Sequence, residues 1–193
     1  MSNEVQLEES GGCLIVRFTR PEVRNPLSVS VLTRLGEIVR DRASNSKFKA
    51  FIFSGTGNVF ASGANLNEIA ALTPDMAREF AESGQDLMNS VAALPQTTIA
   101  AINGFCFGGA LDLALACDRR IASPNARFAH PGTGLGIITG WGGTQRLPRL
   151  IGQTAAFEMF FTAEAVSVDR ALNFGLIDEI ADDALATAIL KTI

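Results

Sequence analysis

Asp112 is the residue of this 193-residue chain best placed by type and context to do chemistry. It follows the glycine pair Gly108-Gly109 and stands between Leu111 and Leu113, in a run to Ala116 otherwise made of alanine and leucine. A carboxylate is seldom buried in such a helix without a partner or a purpose, because removing the ionised form from water is costly. Acid/base chemistry is one purpose. Burial would raise its pKa, and a helix N-terminus would lower it. The bland alternative is an acid paired with Arg119 or Arg146, or turned to solvent.

Two more side chains invite chemical readings. His130 is the only histidine, which excludes metal sites that need two or more, so no metal is expected. Ahead of Pro131 it is either a structural imidazole or an auxiliary proton-handling group, with Thr139 a second candidate auxiliary. Cys106 lies in Gly104-Phe-Cys106-Phe-Gly108, the spacing of a nucleophile elbow with cysteine replacing serine, and His130 with Asp112 or Asp118 could complete a triad. Gly55-Thr-Gly57 has Phe60 where a dinucleotide loop needs glycine, and no lysine follows in Walker spacing, so nucleotide binding is rejected.

The elements that must position these groups alternate strand with helix. Cys13 to Thr19 reads as a strand, Ser28 caps a helix striped by Leu32, Leu35, Ile38 and Val39, and Ala50 to Ser54 is a strand apolar on both faces. Thr73-Pro74 starts a helix that runs toward Pro95, and Thr98 to Asn103 forms a strand. The Asp112 helix follows. Short strands are expected near Ile121 and Phe128, with helices restarting near Gly142, Gln153 and Ser167. This alternation indicates α/β architecture.

Composition narrows the function classes. A net charge of -4 with scattered Lys and Arg gives no basic face, so nucleic acid is not an expected partner. Cys13, Cys106 and Cys117 form no CxxC pair and sit in apolar stretches, as suits a reducing compartment. The N-terminus lacks a signal-peptide pattern, and no apolar run approaches the roughly twenty residues that span a bilayer, so a cytoplasmic, membrane-free protein is expected.

Four ordered blocks then point to a family. Arg20-Pro-Glu-Val-Arg-Asn-Pro-Leu-Ser28, Phe60-Ala-Ser-Gly-Ala-Asn-Leu66, Ala100-Ala-Ile-Asn-Gly-Phe-Cys-Phe-Gly-Gly-Ala-Leu-Asp112 and Gly140-Trp-Gly-Gly-Thr-Gln-Arg-Leu-Pro148 resemble the crotonase superfamily, also called enoyl-CoA hydratase/isomerase. The resemblance implies one ClpP/crotonase-like domain over 1–193, a spiral of ββα units with twisted sheets flanked by helices. Its core would run from about residue 4 to 181, with 182–193 the start of a C-terminal helical segment that is short or missing here. In the family that segment packs on a neighbouring subunit. A homo-oligomer, a trimer or dimer of trimers, is expected if the segment is present.

The resemblance also assigns roles. Backbone N–H groups of Ala64 and Gly109 would hold the enolate oxygen of an acyl-CoA thioester, and Asp112 would stand where the family has a catalytic glutamate, one methylene longer. Val23, Arg24, Ser62, Gly63, Leu66, Gly108, Gly132, Gly140 and Trp141 would contact substrate or coenzyme A, with glycine at 108 and 109 allowing close backbone approach. Coenzyme A would enter as part of the substrate, with no tightly bound cofactor. Register with Gly142-Gly-Thr-Gln-Arg146 puts the family's second glutamate at Gly132, which cannot transfer a proton. Hydration needs one group to activate water and another to protonate carbon, so isomerase-type chemistry with one carboxylate is expected ahead of efficient 2-enoyl-CoA hydration. The alternatives are a non-catalytic acyl-CoA-binding or assembly protein of the same fold and, third, a Cys106-dependent thioester hydrolase.

Overall fold

A computed structural model describes residues 4–44 and 47–192; residues 1–3 and 193, the extremes of the expected 1–193 domain, lie outside the described residues, as do 45 and 46. The chain begins with a hairpin of β1 (Val5–Ser10) and β2 (Cys13–Phe18), joined through Gly11 and Gly12, both at positive φ as a tight two-residue turn requires. β3 (Pro26–Leu27) and α1 (Val29–Arg42) follow, the Ser28 hydroxyl accepting from the Val31 N–H as the expected cap. β4 (Ala50–Ser54), β5 (Val59–Ala61), β6 (Gly63–Ala64) and α2 (Leu66–Ala70) lead to α3 (Pro74–Ala92), capped by Thr73. Next come β7 (Thr97–Ile102), β8 (Phe105–Phe107), α4 (Gly109–Ala116), β9 (Arg119–Ala122) and β10 (Arg127–Ala129). A 3-10 turn at Pro131–Leu135 precedes α5 (Gly143–Ile151), α6 (Gln153–Thr162), β11 (Val166–Ser167), α7 (Val168–Phe174), β12 (Glu179–Ile180) and α8 (Ala184–Leu190).

Three sheets result. The largest has the order β1-β2-β4-β7-β9-β12, parallel except for the β1 hairpin partner; the second runs β11-β10-β8-β5; the third is the pair β3-β6. Parallel strands must be covered on both faces, and the period-2 alternation of side chains shows how. Cys13, Ile15, Ala50, Ile52, Ile99 and Ala101 turn to one face, where Ala184 and Ala188 of α8 close over them. Leu14, Val16, Phe51, Phe53, Ala100 and Ile102 turn to the other, joining Phe18, Phe60, Leu111 and Trp141. The continuous apolar runs of β2, β4 and β7 are thus two interleaved stripes.

The spiral arises because successive units alternate between sheets. β4, β7 and β9 add to the first sheet, and after each the chain drops into β5, β8 and β10 of the second. The expected Arg20–Ser28 turn is tied to this second layer by buried Asn25, whose Nδ2 donates to the carbonyls of Val59 and Phe60, each at 3.1 Å. Gly104-Phe-Cys106-Phe-Gly108 corrects one expectation. Its centre is β8, a strand flanked by β5 and β10, rather than the exposed apex of a nucleophile elbow.

Candidate active site

The turn Ser62-Gly63-Ala64 is pressed against the start of α4. Gly63 has φ +87, and a Cβ there would fall 2.6 Å from the Phe107 oxygen and 2.7 Å from the Gly109 nitrogen. Gly108, at φ 53 and ψ -125, reverses the chain from β8 into α4 in a conformation that side-chain-bearing residues rarely adopt. Its carbonyl accepts from the N–H groups of Leu111 and Asp112, and the first-turn N–H of Gly109 has no intrahelical acceptor. Ala64 and Gly109 both line a cavity of about 250 Å³. Its polar wall includes Ser62, His130 and Thr139; its apolar wall includes Phe80, Leu135, Ile137, Ile138 and Trp141.

Trp141 explains two glycines. A Cβ on Gly84 would meet the indole Cδ1 at 2.1 Å, and one on Gly109 would meet Cζ3 at 2.2 Å. The ring therefore slots between α3 and α4, with Phe80 at 5.4 Å between centroids. The expectation that glycine at 109 serves approach to a ligand is corrected in part, since the room released by that missing side chain is filled by Trp141. Gly84 lies within the helix expected from Thr73-Pro74 toward Pro95, with no role assigned to it from sequence. A glycine inside α3, where alanine would favour the helix by about 1 kcal/mol, was the available signal of a close neighbour.

Asp112 is wholly buried and does not itself line the cavity. Its Oδ2 accepts from the Thr139 hydroxyl, and its Oδ1 faces His130 Nε2 at 3.7 Å, too long for a hydrogen bond. Oδ1 and both ring nitrogens of His130 have no hydrogen-bond partner among the described residues. Gly143 sits so tightly over the pair that a Cβ would lie 2.1 Å from Oδ1 and 3.0 Å from His130 Cε1. Burial raises the Asp112 pKa to about 7, resisted by the Thr139 hydrogen bond, the charge of Arg146 and the backbone amides of Trp141 and Gly143. Burial likewise lowers His130 to about 4, so its imidazole is neutral where Asp112 titrates. Neither suggested arginine pairs with Asp112: Arg119 is exposed, and Arg146 bonds the Trp141 carbonyl and Asn89 instead.

Comparison with known proteins gives this geometry a context. Residues 8–192 match the family described as Enoyl-CoA hydratase/isomerase. The chain belongs to this family. Among its relatives, "Short-chain-enoyl-CoA hydratase" of Clostridium acetobutylicum is 37% identical over 181 residues, covering 93% of this chain and 69% of the relative. "Methylglutaconyl-CoA hydratase, mitochondrial" of Homo sapiens is 37% identical over 176 residues, covering 91% of this chain and 52% of that one. Among solved structures, Pseudomonas aeruginosa DspI superposes with a TM-score of 0.94 at 31% identity, covering 99% of this chain and 79% of that one. Enoyl-CoA Hydratase from Bacillus anthracis gives 0.93 at 33% identity, with coverages of 98% and 75%. The ClpP/crotonase-like α/β fold expected from sequence is thereby shown.

Within this family fold, the cavity gathers Ser62, Ala64, Leu66, Gly108, Gly109, His130, Gly132, Thr139, Gly140 and Trp141, ten of the residues singled out in the sequence. Gly63 supplies the turn beneath Ala64, while Val23 and Arg24 stand outside the wall, linked to it by the Ser62 N–H donating to the Arg24 carbonyl at 3.0 Å. At Gly132 a Cβ would come within 2.9 Å of the Ile137 carbonyl oxygen, and the Ile137 N–H donates to the Gly132 carbonyl at 2.9 Å, folding the loop over that position. Cys106 is fully buried, outside the cavity wall, with its thiol held well above its ordinary pKa by burial; Asp118 is engaged by Thr98. A thiolate nucleophile there lacks both ionisation and access, so the cysteine-hydrolase reading fails.

Proposed function

We propose that the protein binds acyl-CoA thioesters in this cavity and moves a proton next to the thioester carbonyl, in an isomerase-type reaction between 3-enoyl and 2-enoyl thioesters. The carrying observation is a lone buried carboxyl, Asp112, titrating near 7 behind a cavity that has glycine rather than an acid at position 132. In this reading the Ala64 and Gly109 N–H groups receive the carbonyl oxygen as it gains negative charge, and the positive end of α4 adds to that stabilisation. Asp112 holds the proton between its removal from C2 and its return at C4, a task for which one carboxyl suffices. Coenzyme A would approach along the Val23-Arg24 and Ser62-Gly63 turns, and the acyl group would lie along Leu66, Gly140 and Trp141.

Hydration is the second reading, favoured by the relatives, several of which are named as hydratases. Incubation with 2-enoyl-CoA and 3-enoyl-CoA panels, followed by mass and chromatography, separates the two. Isomers of unchanged mass support the proposal, and a gain of one water on 2-enoyl-CoA supports hydration. Coenzyme A binding without turnover would instead favour the non-catalytic reading.

The wider setting forms part of the proposal. A single domain is supported by the large sheet, whose two faces share the same strands. A reducing, cytoplasmic setting is supported by three buried free cysteines. No helix among the described residues is long and apolar enough to cross a membrane. A homo-oligomer is supported by Phe157 and Phe161, neighbouring rings on α6, the latter 80% exposed.

A further inference from the structure

Asp112 is cut off from the cavity it would serve. It contributes no surface to the wall, and Gly143 packs directly over its Oδ1. His130 reaches the wall, but its Nε2 stays 3.7 Å from Oδ1 without a hydrogen bond. Thr139 differs. It is the one side chain among the described residues that both lines the cavity and hydrogen-bonds Asp112, and it is only partly buried.

We propose that Thr139 is a catalytic residue, its hydroxyl relaying the proton between the substrate carbon and Asp112. This rests on the reading of Asp112 as the proton carrier. In the forward step the C2–H bond breaks and its electron pair passes into the thioester as an enolate. Thr139 Oγ1 takes that proton while its own hydrogen passes to Asp112 Oδ2. In the return step Oδ2 gives its proton back to Oγ1, which delivers a hydrogen to C4; the dienolate electrons form the C4–H bond and the carbonyl is restored. No proton or electron is left over, and no second carboxylate is needed. The arrangement also compensates for aspartate being one methylene shorter than the family's glutamate, since the hydroxyl spans the gap.

The test compares wild type, Thr139→Val, Thr139→Ser and Asp112→Asn on 3-enoyl-CoA, with folding checked by circular dichroism. Thr139→Val should lower kcat by about 100-fold or more, in the range of lost general acid/base catalysis, with KM changed less than about threefold. Thr139→Ser, which keeps the hydroxyl, should stay within about tenfold of wild type in kcat, since proton transfer survives. With 2-deuterated 3-enoyl-CoA and in heavy water the wild-type rate of C2–H cleavage should fall in each case, and the solvent effect should persist on the deuterated substrate, because the carbon proton and the hydroxyl proton move in one step. A structural threonine, with Asp112 taking the carbon proton directly, would give no solvent effect on that step. Absence of the solvent effect, or full kcat in folded Thr139→Val beside an inactive Asp112→Asn, overturns the relay and leaves the Asp112 reading standing. Full kcat in both variants, or no turnover by wild type, overturns both. Because the wild-type measurement needs no variant, misfolding of Thr139→Val does not shelter the proposal.

Discussion

At the scale of single residues, Asp112 and His130 have shifts of opposite sign that oppose each other in stability. Asp112 is raised from 3.8 to about 7, so it contributes stability that is complete below 3.8 and lost as pH rises through 7. His130 is lowered from 6.5 to about 4, so its contribution is complete above 6.5 and lost as pH falls toward 4. Between about 4 and 6.5 the folded state holds its proton on Asp112 and the unfolded state on histidine, leaving little net proton uptake. Asp112→Asn removes one side of this balance, with Arg146 the charged group left facing the site. The variant should then gain about 3 kcal/mol between pH 4 and 6.5, relative to the wild-type trend, by chemical denaturation. A parallel pair of pH profiles would contradict this. If Asp112 is the base, wild-type kcat/KM should rise tenfold per pH unit and level off near 7. The burial of Asp112 was legible from its Leu and Ala neighbours; its partner was not, because Thr139 and Gly143 meet it only through tertiary folding.

At the scale of elements, the site depends on β6 lying against the start of α4. Gly63→Ala would put a methyl group 2.7 Å from the Gly109 nitrogen in a backbone conformation with φ +87. Melting curves should show a loss of about 1–3 kcal/mol, the usual cost of such strain, with activity falling more steeply than stability. Activity equal to wild type would contradict the dependence on close approach. Helices capped by Ser28 and Thr73 were legible because their caps and stripes are local. β3, β5, β6 and β8 were not, since each has only two or three residues and exists through pairing with distant strands. The β1 hairpin was missed because its alternating polar residues face outward on an edge strand.

At the scale of the whole molecule, the apolar runs and the four ordered blocks carried the fold and marked Trp141, whereas Phe80, Leu135, Ile137 and Ile138 of the cavity's apolar wall came from α3 and the loop after β10, outside those blocks. Phe60 joins the layers, packing edge to face on Phe18 with centroids 5.7 Å apart. Phe60→Ala should cost about 3–5 kcal/mol in urea unfolding, as for other buried aromatics. A cost under about 1 kcal/mol would show that the layers are not coupled through it. The exposed Phe157 and Phe161 belong to this scale too: sedimentation should show a homo-oligomer that Phe161→Asp shifts toward monomer, and a monomeric wild type would remove that part of the proposal.

The central claim is that one carboxyl, without a partner acid, carries the reaction. It is tested most directly by the kcat of Asp112→Asn against wild type on 3-enoyl-CoA, with 2-enoyl-CoA product measured by mass and retention. The account predicts conversion by wild type and a loss of about 100-fold or more in the folded variant, on the scale of a removed acid/base group. Equal turnover by the two proteins would contradict it.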